Sequence, residues 1–287
     1  MTAIWKTPAG GEAVRTRYRE FLTHWPVPHE HLRIPTSQGE TFVVASGPSD
    51  APAVLLLHGS VSNAASWMGD VVHLAQRFRV YAVDMIGEPG LSAESRPTLA
   101  SGVYAGWLGE VMSGLGVERA ALVGISLGGW LALQFATANS GQVTALALLC
   151  PGGVGRHKNV LIWALPLLML GPWGRRKATE KILGPAPPGD PSPEAVAFGE
   201  FMQLIFANFR PRTEALPPFD DAALARLAMP VQVILGAKDA MIDSAGTRDR
   251  LQRLAPQTEV IWLPDAGHML INHGAGIERF LRKAVGS

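Results

Sequence analysis

The chain has 287 residues, of which 47% are hydrophobic and 17% charged, with a formal net charge of +1. That much apolar material can fill one large α/β domain, with or without an insertion, while the charge balance offers no face for nucleic acid or anionic lipid. One cysteine, Cys150, provides no disulfide framework, and the 8 scattered histidines show no zinc-ligand spacing.

The first 19 residues contain no apolar signal-peptide core. Residues 12–22 then space their apolar side chains as a short helix that stops near Pro26. Residues 31–34 and 40–45, joined at Ser37-Gln38-Gly39, read as a hairpin at a sheet edge. From Ala53 the pattern becomes apolar strand, glycine-bearing loop, helix. It predicts strands over 53–57, 80–83, 120–123 and 143–149, and helices over 66–76, 103–115 and 127–138. Cys150 ends an apolar strand and reads as a buried packing residue. Such alternation predicts a mostly parallel sheet covered on both faces, with a site in the loops at the carboxyl ends of the strands.

The rhythm stops between Gly152 and Met229, where helix-like apolar runs (160–170 and 194–208) and a proline-rich tract (185–193) replace any strand pattern. It resumes with strands over 231–235 and 259–263 and helices over 244–254 and 277–284. A helical insertion at 153–228, within a core made of 1–152 and 229–287, accounts for the break. The longest greasy run, 160–170, is interrupted by Pro166 and too short to span a bilayer. A soluble cytoplasmic protein with no stable membrane insertion is expected.

Gly124-Ile125-Ser126-Leu127-Gly128 lies between a strand and a helix, the context of a nucleophile elbow. A serine forced through so tight a turn occupies strained backbone space, and a side chain at Gly124 or Gly128 would strike neighbouring backbone. The turn lifts the Ser126 hydroxyl clear of the sheet. It also aims the Leu127 N–H, at the positive end of the new helix, toward a developing oxyanion. His58-Gly59-Ser60-Val61, directly after the strand ending at Leu57, can present a second N–H, that of Ser60, with His58 holding the loop. Asp239 follows the strand ending at Leu235, and His268 follows the strand ending at Leu263. A serine needs a base, and the base needs a carboxylate to fix its tautomer. Ser126, Asp239 and His268 occur in the chain order that goes with the elbow. Asp243 reads as a helix cap. Asp70, His73, Asp220 and Asp221 read as solvated or capping groups rather than metal ligands.

On these motifs the chain resembles the α/β-hydrolase-fold superfamily over nearly its whole length. Asp84-Met85-Ile86-Gly87-Glu88-Pro89-Gly90-Leu91-Ser92 resembles the superfamily's Asp-x-x-Gly-x-Gly-x-Ser, with Glu88-Pro89 breaking the spacing by one residue. Asp84 and Ser92 are expected to order that loop. The N-terminal extension and the Gly-Glu-Pro-Gly variant look most like bacterial carboxylesterases. Haloalkane dehalogenases and epoxide hydrolases of this fold carry aspartate at the elbow, where this chain has Ser126.

The resemblance implies that the insertion is a helical cap and that the reaction is cleavage of a small-molecule carboxylic ester through an acyl-enzyme. No cofactor or metal is expected, and the active species is expected to be a monomer or homodimer. The same three residues could serve a carbon–carbon bond hydrolase or a perhydrolase. The former binds acidic substrates, for which Arg156, Lys158, Arg175, Arg176 and Lys177 are candidates. A non-catalytic receptor would have no need of all three. Residues 160–170 with Trp173 are too apolar for an exposed surface and are expected to be buried. Within and beyond that run, Val61, Trp163, Leu167, Leu168, Met169 and Met269 are candidates for the pocket wall, which predicts a preference for uncharged esters of short to medium chain.

Overall fold

A computed structural model describes residues 3–158, 166–167, 169–183 and 192–286. The apolar runs pair into one 8-stranded sheet of order β1-β2-β4-β3-β5-β6-β7-β8. These strands are β1 (His29–Thr36), β2 (Gly39–Ser46), β3 (Ala53–Leu57), β4 (Arg79–Val83), β5 (Ala120–Ile125), β6 (Val143–Leu149), β7 (Val231–Gly236) and β8 (Glu259–Leu263). Only β2 runs against its neighbours; the remaining pairings are parallel.

Side chains alternate along these strands, so each strand serves both faces. Leu55, Leu57, Leu122 and Leu148 pack on one side against α3 (Val103–Gly114), α4 (Leu127–Ala138) and α8 (Ser244–Leu254), through residues such as Leu108, Leu131 and Leu251. Val54, Leu56, Val123 and Leu149 pack on the other against α1 (Pro8–Leu22), α2 (Met68–Leu74) and α9 (Gly274–Val285), through Tyr18, Leu74 and Ile277. Burial on both faces explains why the parallel strands read as unbroken apolar runs.

Helix α1 begins earlier than its periodicity suggests. Thr7 caps it by accepting the Gly10 N–H, and Pro8 opens its first turn. Gly10 and Gly11 weaken the helical signal there, yet a side chain at Gly11 would press into the Trp5 ring. The expected helix over 66–76 divides into a short 3-10 turn, Ala64–Trp67, followed by α2.

Between β6 and β7 the described residues form helices and no strand: α5 (Gly171–Leu183), α6 (Pro193–Asn208) and α7 (Asp221–Ala225). Phe201 of α6 stacks on Tyr18 and Phe21 of α1, with ring centroids 6.1 and 4.9 Å apart, and Phe209 meets Trp5 edge-on at 5.6 Å. The N-terminal segment thereby packs against the insertion as well as the sheet. Among the described residues no helix is long and apolar enough to cross a membrane.

The chain passes from β3 to β4 on one side and then to β5 on the other. Loops leaving β3 and β5 therefore diverge and open a crevice at their carboxyl ends, where ligands bind in such sheets.

Candidate active site

Leu57 and Gly124 are register partners at the ends of β3 and β5, so the loops that follow start side by side before they diverge. The elbow between β5 and α4 places Ser126 at φ 52° and ψ −107°, a strained conformation for a residue with a side chain. Surrounding hydrogen bonds hold it there. The Ser126 N–H donates to Leu149 O at 2.9 Å, and its carbonyl accepts from the N–H groups of Trp130 at 2.9 Å and Gly152 at 3.2 Å. A Cβ on Gly128 would run into the Leu57 and His58 carbonyls, and one on Gly124 into the Gly128 backbone. Both glycines are therefore demanded by close approach of backbone, as the sequence predicts.

Three loops bring their side chains together above this turn. His268 Nε2 lies 3.0 Å from Ser126 Oγ, and His268 Nδ1 lies 2.7 Å from Asp239 Oδ2. The carboxylate accepts the hydrogen bond from Nδ1–H, which leaves Nε2 free to accept from the serine hydroxyl. Asp239 is buried, and its other oxygen accepts the N–H groups of Met241 at 2.7 Å and Ile242 at 2.9 Å. Burial disfavours its charge, but the hydrogen bond from His268 and these two amides outweigh that and hold its carboxyl below the usual range. Burial also works against a charge on His268. The Asp239 carboxylate works for one and so stabilises the imidazolium that forms when the ring takes a proton.

Asp243, the other acid of this loop, caps α8 by accepting the Gly246 N–H at 3.1 Å. Asp220 caps α7 through the Ala223 N–H at 2.6 Å, and Asp221 pairs with Arg250 and Arg253 at the surface. Asp70 does cap a helix, but a distant one. It is buried and receives the N–H of Gly274 at 2.6 Å, at the start of α9.

The loop after β3 is tied down by its neighbours. His58 is fully buried, donates from Nδ1 to Gly59 O at 2.8 Å and accepts the Met85 N–H on Nε2 at 2.9 Å. Accepting the Met85 N–H on Nε2 requires the neutral ring, and burial lowers its pKa to about 4. It is a structural residue of the loop. Asp84 Oδ1 accepts from Tyr18 Oη at 2.8 Å and Ala64 N at 2.9 Å, while Oδ2 accepts from Leu91 N at 2.7 Å. Ser92 Oγ donates to Asp84 O at 2.6 Å. These two residues order the loop. The Val61 N–H is engaged by Glu88 Oε2 at 2.7 Å, whereas no acceptor among the described residues takes the N–H of Ser60 or Leu127. Ser60 is exposed, and Leu127 opens α4.

Two neighbours of the site make contacts that the sequence does not foretell. Cys150 is buried as expected, but it stands at φ 39° and its thiol donates to the His268 carbonyl at 3.1 Å. Donor atoms of Cys150, Asp239 and His268 lie within 4.8 Å of one another. Each is already committed, the thiol to the His268 carbonyl and the ring nitrogens to Asp239 and Ser126, so the group is built as a hydrogen-bonded network rather than a metal cage. Lys158 Nζ donates to Asp239 O at 2.7 Å and so pins the acid's loop. Its position after β6 gives no sequence signal for that contact.

The apolar run of the insertion departs from expectation. Met169 is 83% exposed, and Leu170 and Trp173 are more than half exposed, so these three side chains are not buried. Hydrophobicity alone does not reveal which face of an insertion meets the core. Leu167, Val61 and Met269 are half-buried, while Trp163 and Leu168 lie outside the described residues.

A parallel sheet with helices on both faces, an elbow serine after its fifth strand and partners after its seventh and eighth define the class. The chain belongs to the alpha/beta hydrolase family, whose model matches residues 54–280. It is 29% identical over 257 residues to carboxylesterase YbfK of Bacillus subtilis (strain 168), spanning 88% of this chain and 86% of the relative. The crystal structure of that carboxylesterase, CesB (YbfK), is similar with a TM-score of 0.80 at 26% identity, covering 97% of this chain and 99% of the other. Naproxen esterase (carboxylesterase NP) from the same species is similar with a TM-score of 0.80 at 27% identity over the same shares of the two chains.

Proposed function

We propose that this protein is a serine hydrolase that cleaves carboxylic esters, with Ser126 as nucleophile, His268 as base and Asp239 as orienting acid. The observation that carries the reading is the continuous hydrogen-bonded chain from Ser126 Oγ through His268 to Asp239, at 3.0 and 2.7 Å. Similarity to carboxylesterases over most of the chain supports the choice of ester.

Ser126 Oγ attacks the ester carbonyl as His268 Nε2 takes its proton. The N–H groups of Leu127 and Ser60 receive the oxyanion, each donor of this kind being worth roughly 3–4 kcal/mol in the transition state. His268 then protonates the departing alcohol, leaving an acyl-enzyme. Water repeats the sequence and releases the acid. Asp239 holds the imidazole in its reactive tautomer throughout and stabilises the imidazolium that forms.

Residues 153–228 act as a cap over the core of 1–152 and 229–287. Among the described residues, Val61, Leu167 and Met269 are the half-buried candidates for the acyl or alcohol pocket. The preferred substrate is an uncharged ester of short to medium chain. The reading has the enzyme work in the cytoplasm as a monomer or homodimer. Carbon–carbon bond cleavage is less well supported, because several basic residues suggested for an acidic substrate have other partners. Arg176 and Lys177 pair with Glu180 at the surface, and Lys158 holds the Asp239 carbonyl. A turnover screen across aryl esters, lactones and diketo acids, combined with organophosphonate labelling, tests the proposal. Labelling at Ser126 with aryl-ester turnover is expected; diketo-acid turnover alone would overturn the ester assignment.

A further inference from the structure

Glu88 belongs to the pair of residues that breaks the Asp-x-x-Gly-x-Gly-x-Ser spacing, and it is 1% exposed. A carboxylate is buried that deeply only where it has partners. One oxygen, Oε2, accepts the Val61 N–H at 2.7 Å. Val61 stands at φ 61°, a conformation that β-branched residues avoid. The second residue of the pair acts on the same loop, since Pro89 O accepts from Asn63 Nδ2 at 2.9 Å.

The other oxygen, Oε1, faces Arg212 Nε at 3.6 Å, an ionic contact longer than a hydrogen bond. Arg212 reaches in from the insertion, where its guanidinium also donates to the Tyr104 hydroxyl and to Pro97 O, and lies 3.8 Å from Glu214. Arg96 is the second cation beside Glu88. It donates to Gly87 O and Arg210 O, both at 2.8 Å, and is influenced in turn by Glu94. Burial pushes the Glu88 carboxyl up to about 7, against the pull of the Val61 N–H, Arg96 and Arg212.

We propose that Glu88 is a positioning residue that clamps Val61 and thereby holds the adjoining Ser60 N–H toward the carbonyl oxygen at Ser126. The proposal rests on the reading of Ser60 as an oxyanion donor. The Val61 N–H belongs to the peptide that follows Ser60. Fixing its direction fixes that peptide plane, and the Ser60 N–H is only one peptide earlier. Without an acceptor, Val61 is free to relax to a negative φ and carry Ser60 with it. The clamp also connects three separate segments: the loop after β3, the loop after β4 and the insertion that supplies Arg212.

Three substitutions separate the acceptor from the charge. Glu88→Gln retains a carbonyl oxygen for Val61, whereas Glu88→Ala and Glu88→Met have none. A misplaced oxyanion donor should lower kcat for an aryl ester about tenfold to hundredfold in the alanine and methionine variants, with KM within about threefold and Ser126 still labelled by phosphonate, more slowly. Glu88→Gln should recover most of that loss, to within about fivefold of wild type. In 15N-labelled protein the Val61 amide proton should move upfield in Glu88→Ala and less in Glu88→Gln.

Wild-type kcat in the alanine and methionine variants, or a defect confined to KM, would overturn the clamp and leave the esterase reading intact. A glutamine variant as impaired as alanine would also overturn it, because the charge rather than the acceptor would then matter. Wild-type protein inert toward esters and phosphonate would instead remove the esterase reading, and the Val61 amide would judge the clamp by itself. If neither truncated variant folds, hydrogen exchange at the Val61 amide of the wild-type protein decides, and exchange as fast as that of an unbonded amide rejects the clamp.

Discussion

Ser126 Oγ and His268 Nε2 stand 3.0 Å apart although 142 residues separate them in the chain. That distance allows direct proton transfer without rearrangement. Ser126→Ala and His268→Ala should each lower kcat on an aryl ester by about a thousandfold or more, with residual turnover left to the oxyanion donors. Mass spectrometry should find the phosphonate adduct on Ser126 and lose it in Ser126→Ala. Near-normal turnover by either variant would end the nucleophile–base assignment.

Asp239 and Asp243 share one loop but hold different partners, the His268 ring and the first turn of α8. Asp239→Asn presents an amide to Nδ1 and favours the wrong tautomer, so kcat should fall by about a thousandfold or more with the fold retained. Asp243→Asn should leave kcat within about twofold, since asparagine caps a helix nearly as well as aspartate. Asp243→Ala should cost about 1 kcal/mol of stability in urea unfolding through loss of the cap. The reverse pattern of activity losses would transfer the acid's role to Asp243.

Cys150 donates its thiol to the carbonyl of His268, the residue whose ring must be aimed at Ser126. Cys150→Ala removes that tether and should lower kcat about threefold to tenfold, the effect of losing one neutral hydrogen bond. Cys150→Ser keeps a donor and should be less affected. Native protein should react slowly with a thiol reagent because the side chain is buried. Unchanged kcat in Cys150→Ala would show that the contact is packing alone.

Asp70 gives a pH test of stability. Burial raises its pKa in the folded protein from 3.8 to about 6, despite the amides of Gly274 and His273 that favour its charge. Between those values the folded state binds more protons than the unfolded state. Asp70 therefore stabilises the fold fully below about pH 3.8, and its contribution declines as pH rises to about 6, by on the order of 2–3 kcal/mol. Asp70→Asn keeps an acceptor for Gly274 and should flatten that part of the stability profile, measured by urea unfolding from pH 4 to 7. A variant whose profile runs parallel to wild type would contradict the assignment.

Much of the architecture was legible because its signals are local. Strands 53–57, 143–149 and 259–263 and helix 127–138 agree with the structure residue for residue, and a helix lies near 244–254 as expected, since apolar runs buried on both faces and amphipathic stretches announce themselves within a few residues. The elbow was legible for the same reason, as a strand, two spaced glycines and a helix. The proximity of Ser126, Asp239 and His268 could be inferred because parallel crossovers bring successive strand ends to one edge of the sheet.

Contacts between loops depend on where distant segments come to rest, and residue type does not encode that. The Glu88 carboxylate on Val61, the Cys150 thiol on the His268 carbonyl and the Asp70 cap on α9 join segments 27, 118 and 204 residues apart. Exposure of Met169, Leu170 and Trp173 is of the same kind. Their hydrophobicity is visible in the sequence, but the face they present is set by how the insertion packs. Local periodicity and chain order thus determined the elements and the identity of the three aligned residues. Tertiary packing alone decided which buried polar groups hold their loops in place, because a buried charge or amide takes its partner from whatever part of the chain the fold brings within about 3 Å.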